Sequence, residues 1–224
     1  MRSAHRLFTV KLLPLFLIVT LTMTGCSKFD AEGFVQAYLN LWMQGEADDA
    51  VKLNKEKTRS ELLEDFETRV FAFDEVYITG DMEMDNKMLS DYFNLTKQIF
   101  SVMRYQVKGA DKNHDVYEVS VEITTVNIIK EYISQIQTLS QEMMAAVENG
   151  EYEGTDEQID EQLEAEFIYI AYDRLQECYV NMEYGDKQTV IIHVEKNENG
   201  DYEIREDDFS EMLIRMLCLD EITG

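Results

Sequence analysis

Two stretches with a two-residue rhythm constrain this chain more than anything else in it. Met103, Tyr105 and Val107 alternate with Arg104, Gln106 and Lys108, and Tyr117, Val119, Val121 and Ile123 alternate with Glu118, Ser120 and Glu122. Successive side chains on an extended strand point to opposite faces, so this rhythm means strands with one apolar face. The polar residues 109–115 between them predict a hairpin closed by a long loop. The rhythm returns over 187–196, where Val190, Ile192 and Val194 alternate with Thr189, Ile191 and His193. Asn199-Gly200 is a strong turn signal, and a last strand carrying Tyr202 and Ile204 follows it.

The flanking segments have helical spacing instead. Asp30 predicts an N-cap, Phe34, Val35, Tyr38, Leu39, Leu41 and Trp42 form a broad apolar stripe, and Gly45 ends the helix. Further helices are expected over 46–53, 58–73 and 86–101. A long pair is expected over 128–148 and 156–184, with Gly150 and Gly154 in the turn between them, and a terminal helix opens near Asp207. Four strands with one apolar face must bury it against helices. The expectation is therefore an α+β fold in one domain, residues 30–224, with a four-stranded antiparallel sheet packed on helices and the helical pair at 128–184 as an insertion.

The chain carries 20 Lys+Arg against 45 Asp+Glu, a formal charge of −25. Residues 1–25 hold three basic residues and no acidic one, so the remainder stands at −28. That excludes nucleic acid as a natural partner, because its affinity comes from phosphate neutralisation by Lys and Arg. It also argues against a basic patch on anionic lipid. Apolar content is ordinary, so the chain is expected to fold rather than remain disordered. Beyond residue 26 the cysteines are Cys178 and Cys218, both in apolar, helix-like settings. Two cysteines make no disulfide framework, and sequence leaves a bridge between them open.

The first 26 residues have the layout of a secretory signal. Arg2, Arg6 and Lys11 give a positive start, residues 12–21 are apolar except Thr20, and small residues lead to Cys26. The apolar run is shorter than the roughly 20 residues needed to span a bilayer. Met23-Thr24-Gly25-Cys26 resembles the lipobox of bacterial lipoproteins, with Met where Leu is usual. The resemblance implies cleavage before Cys26, lipidation of Cys26, and an extracytoplasmic domain held to the membrane through residues 26–29.

Most of the remaining chain resembles a group of mostly uncharacterised lipoproteins of Gram-positive bacteria with NTF2-like (cystatin-like cone) domains. The residues that carry the resemblance are Phe34-Val35-Gln36-Ala37-Tyr38 with Gly45, then Tyr105-Gln106-Val107-Lys108-Gly109. Residues 117–125, and 190–204 followed by Asp207-Asp208-Phe209, complete it. In such folds the space between helices and curved sheet can form a cavity, which implies a pocket near Tyr38, Trp42, Tyr105 and Tyr117. Aromatic side chains filling a core would give the same pattern.

No nucleophile motif, phosphate loop, HExxH or CxxC is present. His114 falls in a predicted turn. His193, between Ile192 and Val194, is expected to face away from the packed side. Asp111-Lys112-Asn113-His114-Asp115 has the first ligand types of a calcium loop, but Val116 stands where the turn glycine belongs and strands flank it rather than helices. Asp81, Glu83 and Asp85 form another acidic loop with the same shortcoming. No catalytic residue, metal site or cofactor is therefore assigned. The expected role is non-catalytic binding or scaffolding at the cell surface, with a protein, peptide, glycan or small molecule as ligand. An enzyme using carboxylates in an NTF2-like pocket, and a weak divalent-cation module, are the alternatives.

Overall fold

The computed structural model describes residues 29–54, 56–80 and 82–221. The expected signal segment 1–25 and the lipid site Cys26 lie outside the described residues. The elements run α1 (Ala31–Leu39), a π-turn (Asn40–Gln44), α2 (Asp48–Leu53), α3 (Arg59–Asp74), a second π-turn (Glu75–Thr79) and α4 (Asn86–Ser101). Then come β1 (Arg104–Asn113), β2 (Val116–Val126), α5 (Ile128–Glu148), α6 (Asp156–Val180), β3 (Tyr184–Lys196), β4 (Tyr202–Ile204), α7 (Glu206–Met216) and a 3-10 turn (Leu219–Glu221). The fold is α+β, with an open antiparallel sheet in the order β1-β2-β3-β4.

Register places the alternating residues as their rhythm requires. Val119 pairs with Ile192, Val121 with Val190, and Tyr117 with Val194. Val119, Val121, Ile123, Ile192 and Val194 are fully buried, and α1 and α7 lie against the sheet. Ile191, between buried Val190 and Ile192, is 40% exposed, so the opposite face is open there. Local signals set the helix starts. Asp30 Oδ1 accepts from the Gly33 N–H at 2.9 Å. Thr58 and Glu61 form a reciprocal capping box on α3, and Thr155 and Gln158 form one on α6.

The hairpin differs from the expected long loop. β1 continues to Asn113, Asn113 pairs with Val116, and only His114 and Asp115 turn the chain. His114 takes the positive φ of 57° that the tight turn needs. Gly109 is not a turn glycine but follows a bulge: the register shifts between Val107 and Gly109. The extra residue moves the apolar face from Tyr105 and Val107 to Ala110, which pairs with Val119.

The end of the helical pair also differs. α6 stops at Val180, and Tyr184 already belongs to β3. Asn127 fixes that entry: its N–H donates to the Glu183 carbonyl at 3.2 Å and its Oδ1 accepts from the Glu183 N–H at 2.9 Å. Tyr184 then donates to the Val102 carbonyl at 2.8 Å, beneath the Arg104 guanidinium 3.4 Å from its ring centre. Next to it Gly185 approaches β2 so closely that a Cβ would lie 2.5 Å from Thr125 Oγ1.

Candidate binding site

α3 buries Leu62, Phe66, Val70 and Phe73 at helical spacing, and Arg69 lies on the same side. The two π-turns bring in Trp42 and the pair Val76 and Tyr77, and α7 contributes Phe209 and Leu213. With Arg69 and Phe73 of α3 they line a mostly apolar cavity of about 170 Å³, and Glu206 and Ser210 of α7 stand in the same lining. A π-turn adds a residue to a helical turn and re-aims side chains, and such turns gather at functional sites. Here both π-turns serve the same cavity.

Arg69 is the polar centre of this wall. Its guanidinium carbon lies 4.8 Å from the Trp42 ring centre and 5.8 Å from that of Phe209, while the two rings meet nearly edge-on at 4.5 Å. Among the described residues no carboxylate comes within ion-pair distance of it. Burial lowers its pKa, and the negative charges of Glu206 and Asp65 oppose that shift. A guanidinium stays charged under such conditions. Arg69 Nε and Trp42 Nε1 are both buried without an acceptor. Buried donors nearly always have partners, so two orphans in one cavity wall mark a place for an acceptor.

The four aromatics expected near a pocket are not all brought together. Tyr38 and Trp42 are adjacent, ring centres 5.4 Å apart. Tyr38 is 1% exposed, and burial holds its pKa well above the usual phenol value against the opposing pull of the Asn54 side chain. Tyr105 is half-buried and donates to Asn40 Oδ1 at 2.9 Å. Tyr117 packs with Phe29 and Tyr202, whose rings stack at 3.6 Å. Of the four, only Trp42 lines the cavity. Arg69, Phe209 and Leu213 were not anticipated as lining residues. The available signal for Arg69 was a cation set on the apolar side of a helix, between Phe66 and Phe73.

Other polar groups have structural employment. The backbone N–H and Nδ1 of His193 both lie against Asp208 Oδ2, at 2.6 and 2.9 Å, so the start of α7 closes the edge of β3 beyond β4. Asp85 caps α4 by accepting from the Met88 N–H at 2.8 Å. Asp111 and Asn113 lie in β1 rather than in a loop. Among the described residues no group of three His, Cys, Asp or Glu side chains gathers as metal ligands. Cys178 is buried and Cys218 half-buried, and neither forms a disulfide. Behind the cavity wall, between α3 and α4, Asp74 is 1% exposed. Thr96 Oγ1 donates to Asp74 Oδ1 at 2.5 Å, while Oδ2 has no partner. Burial raises its pKa to about 6, against the opposing pull of the Thr96 hydroxyl.

Comparison with known proteins places the fold only. No protein family matches the chain, and no curated protein does. Its structure is similar to that of a candidate lipoprotein (ycdA) from Bacillus subtilis, with a TM-score of 0.52 at 15% identity. The likeness covers 81% of this chain and 54% of that one, so the chain spans about half the length of its structural neighbour. Among the described residues no helix is long and apolar enough to cross a membrane.

Proposed function

We propose that this chain is an extracytoplasmic lipoprotein whose single NTF2-like domain, residues 30–224, binds a ligand without catalysis. Residues 1–25 act as the signal and Cys26 as the lipid site. The cavity between α3 and α7 holds the ligand. The observation that carries this reading is the Arg69–Trp42 wall: a cation and two buried donors without a hydrogen-bond partner, in a mostly apolar lining where Glu206 balances part of the Arg69 charge. Such a wall suits a ligand with an apolar body and a carboxylate or other acceptor group. A dry cavity of about 150 Å³ takes up benzene, so this one suits a single ring or branched side chain rather than a long acyl chain. The similarity to a candidate lipoprotein of Bacillus subtilis supports the surface location. The lipobox resemblance supports it independently.

Trp42 is the chain's only tryptophan, so its fluorescence reports on the cavity directly. N-acetylphenylalanine is expected to change that emission saturably, and the corresponding amide to bind about tenfold more weakly, the loss of roughly one charge-assisted hydrogen bond. Arg69→Met should erase the difference between the two probes. Unsaturable, equal responses to acid and amide in the native protein would refute the reading.

A further inference from the structure

The helical pair α5–α6 carries a second apolar surface, separate from the cavity. Met143, Met144 and Val147 of α5 face Leu163 and Phe167 of α6 across a groove of about 570 Å³. Leu139, Met143 and Ala171 form a small core beneath it, and Met144 stands 68% exposed. Ser140, Met143, Met144 and Val147 have the spacing i, i+3, i+4, i+7, which gives the groove about two helical turns of length. Glu148 and Glu164 stand on its rim. From residue 131 to residue 173 the chain has 12 acidic residues and no basic one. The tip is held rather than loose: the Tyr152 hydroxyl donates to Glu166 Oε2 at 2.7 Å, and the capping box at Thr155 fixes the start of α6.

From this groove and its rim we infer that the helical pair docks a basic amphipathic helix of another polypeptide. Two turns of apolar floor match the i, i+4, i+7 anchors of a helix laid in a groove. Thioether side chains adapt to varied anchor shapes. Charge selects the partner. A second copy of this chain would set one acidic rim and its acidic flanks against another, and anionic lipid would be repelled in the same way. Lysines or arginines flanking apolar anchors would instead meet Glu148 and Glu164.

The test is binding of the full chain to a fluorescent leucine–lysine peptide with helical amphipathic spacing, read by anisotropy. The controls are a peptide of the same composition in scrambled order and one with glutamate in place of lysine. The amphipathic basic peptide should bind about tenfold tighter than the scrambled one, with affinity falling as salt is added. Met144→Ser changes no charge and touches an exposed side chain, so Tm should hold while affinity drops about fivefold. The double variant Met144→Ser with Leu163→Ser should lose the preference for amphipathic order. Equal binding of ordered and scrambled peptides would mean charge alone, and would overturn the proposal. So would unchanged affinity in Met144→Ser, or sedimentation showing a dimer that Met144→Ser dissolves.

Discussion

Asp74 shows how one residue can set a pH dependence for the whole molecule. Its carboxyl is buried, with Thr96 on one oxygen and nothing on the other. In the unfolded chain it takes up a proton near pH 3.8, in the folded chain near pH 6. Between those values the native state binds more protons, so this group's contribution to stability falls as pH rises from about 4 through about 6. The difference corresponds to ~3 kcal/mol at neutral pH. Asp74→Asn keeps the shape and abolishes the charge. Urea unfolding should show it more stable than native at pH 7.5, with the gap closing near pH 4. If the gap between native protein and variant is the same at pH 7.5 and pH 4, burial of an ionised Asp74 does not set the pH dependence. Arg69 is the opposite case, a buried group that keeps its charge and rests it on Trp42 and Phe209.

At the scale of elements, the apolar rhythms were enough to assign the packed faces of β2 and β3 and the positions of most helices, but not the end of α6 or the face of β1 beyond Val107. α4 and α5 fall where spacing predicts them, because long periodic segments leave little choice. Geometry that depends on one inserted residue was not legible. The bulge after Val107 reads as a turn because Gly109 is both a turn former and a bulge former. The π-turns carry no spacing signal, yet they decide that Trp42 and Tyr77 reach one cavity. That cavity could not be read from sequence for the same reason. Gly45 ends the first π-turn at φ 69°, and a Cβ there would lie 3.0 Å from the Phe66 ring. Gly45→Ala should cost about 1–2 kcal/mol in chemical denaturation and shift the Trp42 emission. A silent substitution would show that the turn can be remade without glycine. Thr58→Ala, which removes the cap of α3, should cost about 1 kcal/mol and leave the emission unchanged.

On the scale of the molecule, charge dominates. A chain at −25 repels itself, so added salt should raise Tm from its low-salt value by screening. A Tm that falls with salt would mean that specific ion pairs outweigh the general repulsion. Cys26→Ala should leave the protein soluble or unprocessed in membrane fractionation, and mass spectrometry of the native N-terminus should find a lipid-modified cysteine. The sheet adds a constraint of another kind. One margin is β1, bulged and carrying Lys108, Asp111 and Lys112, and the other is shared between β4, three residues long, and the part of β3 that β4 does not reach. An outer strand that is kinked and charged, or too brief, gives a neighbouring chain nothing to zip onto. The stretch of β3 ahead of His193 is the margin that stays open, because β4 pairs only with Val194, Glu195 and Lys196, so any strand-to-strand joining between copies would have to begin there.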